Sequence, residues 1–202
     1  MKKYFILLTI IAVGFLSSCS EKEDIVTIHT EFGDIVLILF NETPAHKKNF
    51  LKLAEGGFYD STTFHRVMDD FMIQGGDPNS KDDDPNNDGL GDPGYTIPSE
   101  FNASFSHKKG ALAAARQPDN VNPKKASSGS QFYIVEGDGG APHLDGGYTI
   151  FGQTISGLDV VEKIAEQPKD GRNRPFSDIK MTMEIKSMSR KNITKEYGYA
   201  FD

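Results

Sequence analysis

The chain is poor in the residues on which several chemistries depend. One of its 202 residues is cysteine, Cys19, so neither an internal disulfide nor a thiol nucleophile is available to the domain that follows it. Basic residues are outnumbered, 22 Lys and Arg against 29 Asp and Glu for a formal charge of −7, which argues against a nucleic-acid partner. The five histidines (29, 46, 65, 107 and 143) are scattered, and no pair has helical metal-ligand spacing. There is no P-loop and no Gly-x-Ser-x-Gly elbow. Gly137-Asp138-Gly139-Gly140 is half of a dinucleotide fingerprint but runs into Ala141-Pro142 and reads as a turn. The apolar run Tyr4–Leu16 is too short to cross a hydrocarbon core of about 30 Å.

That run has a different meaning. Lys2 and Lys3 precede it and Leu16-Ser17-Ser18-Cys19 follows it, the layout of an export leader whose end resembles the bacterial lipobox. The resemblance implies cleavage before Cys19 and acylation of Cys19, giving stable anchoring where more than one chain is attached. Residues 1–18 are then the signal peptide, and 19–24 the lipidated cysteine and a polar tether. Loss of Lys2 and Lys3 takes the charge from −7 to −9, so lipid, not a basic patch, holds the protein to the membrane. The expected location is the cell envelope. Ser20 after Cys19 favours the outer membrane, and Ser20–Asp24 resembles surface-export signals of some lipoproteins.

The folded domain is expected over 25–188, followed by a polar tail, 189–202. Ile25–Thr30 and Asp34–Phe40 read as strands around a Glu31-Phe32-Gly33 turn. Thr43-Pro44 predicts an N-cap and first helical position, and His46, Phe50 and Leu53 share a helical face. Residues 62–75 read as two short strands split at Asp69-Asp70. Gly110–Arg116, Gln131–Glu136, Tyr148–Ile155 and Ile179–Met188 are further strands, and Gly157–Glu166 is a second helix capped by Ser156. Many short strands with two short helices point to an all-β antiparallel barrel or sandwich.

The chemistry-bearing stretches are local. Phe64-His65-Arg66 precedes Phe71-Met72-Ile73-Gln74-Gly75-Gly76-Asp77. Gly110–Arg116 carries an alanine run, Ser128-Gly129-Ser130-Gln131-Phe132-Tyr133-Ile134 follows, and His143-Leu144-Asp145-Gly146-Gly147-Tyr148-Thr149-Ile150-Phe151-Gly152 comes last. Together, and in this order, they resemble the cyclophilin family of peptidyl-prolyl isomerases over about residues 25–188. The resemblance implies a closed eight-stranded antiparallel β-barrel capped by two α-helices.

It also implies a role for Arg66, an arginine among apolar residues. Rotation about a peptide bond faces a barrier of roughly 18–20 kcal/mol. Twisting an X–Pro bond localises the lone pair on the prolyl nitrogen, and a fixed donor aimed there stabilises the twisted state more than the planar one. A guanidinium is always charged and presents its donors in a rigid fork. By the resemblance, Arg66 is that donor, Gln74 holds it and bonds a substrate carbonyl, and Phe71, Met72, Tyr133 and Leu144 line the proline pocket. Ala115 and Arg116 present backbone groups, Gln131 supports that wall, and Tyr148 stands at a His-or-Tyr position. His143 stands at the rim, where many members carry Trp or Phe. His65 reads as a buried structural histidine. No cofactor is required, the partners are proline-containing polypeptides, and a monomer is expected. A module that binds proline segments without useful turnover is the alternative.

Residues 82–92 (DDDPNNDGLGD) are strongly acidic. Asp84, Asn86, Asp88 and Asp92 fall where the first half of an EF-hand-like loop has ligands, but Tyr95 replaces the closing Glu. The plainer reading is a solvated loop; a weak calcium site is the other.

Overall fold

The computed structural model describes residues 21–201; the expected leader and Cys19 lie outside them. Strands β1 (Lys22–Thr30) and β2 (Gly33–Leu39) form a hairpin, followed by helix α1 (Pro44–Glu55). Then come β3 (Arg66–Met68), β4 (Met72–Gly75), β5 (Thr96–Ile97), β6 (Ala111–Ala114), β7 (Ser127–Ser128), β8 (Phe132–Val135) and β9 (Ile150–Ser156). Helix α2 (Leu158–Ala165), β10 (Thr182–Ser189) and helix α3 (Arg190–Tyr197) complete the chain. Eight strands form one antiparallel sheet in the order β10-β1-β2-β9-β6-β8-β4-β3, and β5 pairs with β7 separately.

Side-chain alternation along these strands separates two clusters. Val67, Ile73, Leu112, Ala114, Phe132 and Ile134 point into the main core, where Phe50 of α1 and Val160, Val161 and Ile164 of α2 pack against them. Their neighbours Met72, Ala111, Ala113, Tyr133 and Val135 belong to a second cluster on the other face. The alanines on that face are small, which leaves a hollow over β6 and β8.

The eight-stranded ladder runs from β10 to β3, its two edges. The segments just ahead of them meet through an isolated bridge, Thr63–Lys180, flanked by Ser61 N–H to Met181 O at 2.9 Å and Phe64 N–H to Ile179 O at 3.0 Å. Ser61 has a φ of 66°, which interrupts the extended run there. The tether ends earlier than expected, because β1 starts at Lys22 and Glu23 is buried. Residues 189–202 are not merely a polar tail. Ser189 Oγ accepts from Asn192 N–H to start α3, and Ile193 is fully buried against Ile25, Val36, Ile38 and Met188.

The helix caps also differ. Thr43 makes no side-chain cap; the Glu100 carboxylate accepts from Ala45 and His46 N–H at 3.0 Å each, compensating the orphan donors of α1. Gly157, not Ser156, caps α2, with φ of 87°. A Cβ there would lie 2.2 Å from Asp34 O, so the close approach of β2 to the helix start requires glycine.

Candidate active site

The hollow contains a cavity of about 180 Å³. β3 brings Arg66 and β4 brings Met72 and Gln74, and the pairing Arg66–Gln74 places these two side by side. Phe71, Met72, Tyr133 and Leu144 form apolar walls, with Ala115, Arg116 and Tyr148 on the opposite side. A second cavity of about 450 Å³ adjoins it, sharing Gln74, Ala115 and Arg116 and adding Gln131. His143 stacks on Phe71 with ring centroids 5.7 Å apart. The residues named from the sequence are thus brought together at one place.

Arg66 is half-buried. Its Nη1 donates to Gln74 Oε1 at 3.2 Å and its Nη2 to the Met68 sulfur at 3.2 Å. Gln74 Nε2 in turn donates to Gln131 Oε1 at 3.0 Å. Burial pulls the Arg66 guanidinium below its ordinary pKa, yet an arginine starts so high that it remains a cation. It has no carboxylate partner among the described residues' ion pairs. A cation that forms no ion pair among the described residues, at the edge of this cavity, is available to an electron-rich atom placed there.

The other wall is locked. Arg116 Nε donates to Gly147 O at 2.7 Å and Nη1 to Asp119 at 2.6 Å, and its guanidinium lies 4.5 Å from the centroid of the Tyr148 ring. Such a contact is favourable when partly desolvated.

Two residues beneath the pocket were not singled out from the sequence. His107 is buried; its Nδ1 lies 2.6 Å from Asp145 Oδ1 and its Nε2 lies 2.9 Å from the Tyr133 hydroxyl. With Asp145 accepting from Nδ1–H, Nε2 is left to accept the Tyr133 O–H. The Tyr133 hydroxyl is therefore engaged by His107. Nothing in residues 107 and 145 alone signals this, because 38 positions separate them. His65 is 6% exposed, buried as expected.

The EF-hand-like ligand set does not form. Asp88 is taken up by Arg174, with Nε 2.6 Å from Oδ2, Asp84 caps Asn86 and Asp92 caps Gly94. Among the described residues no group of three or more His, Cys, Asp or Glu is placed to hold a metal ion.

Comparison with known proteins identifies the family. Residues 25–185 match the family described as cyclophilin type peptidyl-prolyl cis-trans isomerase/CLD. The chain is 40% identical over 166 residues to peptidyl-prolyl cis-trans isomerase CYP18-1 of Arabidopsis thaliana, covering 77% of this chain and 91% of that one. It is 36% identical to peptidyl-prolyl cis-trans isomerase-like 2 of Rhizopus delemar, covering 83% of this chain but 30% of that longer protein. A crystal structure of a Cryptosporidium parvum cyclophilin type peptidyl-prolyl cis-trans isomerase superposes with a TM-score of 0.71 at 30% identity, covering 82% of this chain and 98% of that one. The chain belongs to the cyclophilin-type peptidyl-prolyl cis-trans isomerases.

Proposed function

We propose that the protein isomerises X–Pro bonds of exported polypeptides by non-covalent stabilisation of the twisted amide, with Arg66 as the donor to the prolyl nitrogen. The observation that carries this reading is the Arg66 cation, without an ion-pair partner among the described residues and held by Gln74 at the edge of the cavity. The proline ring enters the cavity between Phe71, Met72, Tyr133 and Leu144. Gln74 and the backbone at Ala115 and Arg116 orient the flanking peptide. The Arg66 fork then meets the nitrogen lone pair only as the bond twists. That interaction is stronger in the transition state than in the ground state, which is the condition for acceleration. The step needs no cofactor and no proton transfer.

The leader and Cys19 support a lipid-anchored enzyme of the cell envelope, acting as a monomer on unfolded clients. The Thr63–Lys180 bridge supports a sheet whose edges meet to complete a barrel. Arg66→Ala is expected to lower isomerisation of a proline peptide at least about tenfold, since each roughly 1.4 kcal/mol of lost transition-state stabilisation is a factor of ten. Unchanged turnover in the folded variant would overturn the mechanism and favour a module that only binds proline segments. Cys19→Ser should release the protein from membranes and abolish incorporation of labelled fatty acid.

A further inference from the structure

The Arg66–Gln74–Gln131 chain has a direction, and something outside it must set that direction. A glutamine amide is nearly symmetric in shape, with an acceptor on one side and a donor on the other. Gln74 holds Arg66 only while its Oε1 faces the guanidinium. Turned over, it would present Nε2, a donor, to the donors of Arg66. Gln74 keeps its orientation because its Nε2 has an acceptor, Gln131 Oε1. Gln131 keeps its own because its Nε2 donates to two backbone carbonyls, Gly91 O at 2.7 Å and Gly89 O at 3.1 Å. Carbonyls can only accept, so they polarise the whole chain toward Arg66.

Both carbonyls belong to the acidic loop, and the loop is pinned beside them. The side chain of Asp88, adjacent to Gly89, is 5% exposed and receives Arg174 Nε at 2.6 Å. Arg174 is fixed in turn by Asp178, with Nη2 2.7 Å from its carboxylate, and by Pro175 O at 3.0 Å. On the other side, Gly91 N–H reaches the fully buried Asp77 carboxylate at 3.3 Å. A Cβ at Gly91 would lie 2.2 Å from Asp77 Oδ1, so the chain passes here at closest approach. Arg174 lies outside the 180 Å³ cavity, yet it ends a path that runs through the Asp88 carboxylate, the backbone link to Gly89 and the two glutamines to Arg66.

We propose that Arg174 is a positioning residue for Arg66, acting through Asp88 and the Gly89 and Gly91 carbonyls, which set the orientation of Gln131 and Gln74. The acidic loop is then part of the catalytic support. A nearly buried Asp88 that loses Arg174 is an uncompensated charge; it moves toward water, carries Gly89 with it, and frees both amides to turn. The inference rests on Arg66 being the donor in isomerisation.

The test is a double-mutant cycle, reading kcat and KM for a proline peptide at equilibrium by NMR exchange. Arg174→Met keeps the aliphatic stem and removes the charge and donors. It is expected to lower kcat about fivefold with KM within about twofold, whereas in a Gln131→Ala background it lowers kcat less than about 1.5-fold, as sites coupled through a shared partner require. An equal loss in both backgrounds, or no loss in either, overturns the proposal. Asp88→Ala, read in the same cycle, serves if Arg174→Met lowers the melting temperature too far to assay. Arg66→Ala is run alongside. Full activity there would sink the donor reading itself, whereas a loss there with uncoupled Arg174 sinks only the positioning role.

Discussion

The Tyr133 hydroxyl stands 2.9 Å from Nε2 of His107, behind the apolar wall to which the same tyrosine gives its ring. One side chain thus serves two surfaces, and they can be separated. Tyr133→Phe keeps the ring and removes the donor, leaving Nε2 buried without a partner. Unfolding free energy should fall by about 1–3 kcal/mol, the cost of an unsatisfied buried polar group, while kcat/KM stays within about twofold because the pocket face is unchanged. Urea denaturation and a peptide isomerisation assay measure the two. A tenfold loss of activity at unchanged stability would place the hydroxyl on the substrate.

Burial holds His46, His65 and His107 below the ordinary imidazole value of 6.5. His46 and His107 each also lie 2.6 Å from a carboxylate, Glu100 and Asp145, which opposes burial without overcoming it. The unfolded chain therefore takes up protons near pH 6.5 that the folded chain refuses. Stability is complete above that pH and declines as pH falls below it toward the depressed folded values. The melting temperature should be level from about pH 7 upward and drop as the pH is lowered below about 6.5, before the paired carboxylates titrate. A flat profile across that window would show that these histidines are not buried neutral.

The grouping of Arg66, Gln74 and Tyr133 on one face was largely legible in the chain because the motifs that carry the resemblance are local. Arg66–Met68 and Met72–Gly75 are adjacent strands joined by a tight turn, so order along the chain is nearly order in space. The same holds for Ser130–Ile134, where alternation puts Phe132 and Tyr133 on opposite faces and the family resemblance gives Tyr133 to the pocket. What escaped depends on distant contacts. Glu100 caps a helix more than fifty positions away, Asp145 reaches back to His107, and Arg174 crosses to Asp88. No spacing rule joins such pairs. Helix α3 escaped for another reason: Ile193 is its single buried residue, too little for a helical period to register.

Asp88 decides the acidic loop. An EF-hand-like site needs its carboxylate facing inward with Asp84 and Asp92, but it faces Arg174. Millimolar calcium against chelator should leave the melting temperature unchanged, since only a ligand that binds the folded state stabilises it by mass action. A calcium-dependent rise that Asp84→Ala abolishes would show that the loop rearranges around the ion at the expense of the Arg174 pair.

Helix α3 makes the strongest claim about the carboxyl end. Ile193 is fully buried, and Arg190 Nη2 and Nε meet the buried Glu23 carboxylate at 2.7 and 3.0 Å, tying the helix to β1. Glu23 keeps Lys47 at 3.0 Å and Asn41 at 3.2 Å when α3 is gone, so the charge is not stranded. The loss is mainly apolar. Ile193→Ala should cost about 2–5 kcal/mol as a large-to-small change in a packed site, and removal of residues 190–202 should cost at least as much. Neither change touches a residue lining the cavity beside Arg66, so kcat/KM of the folded fraction should be unaltered. A urea midpoint that does not move on truncation would mean that the tail lies free in solution and that Ile25, Val36 and Ile38 need no cover on that side.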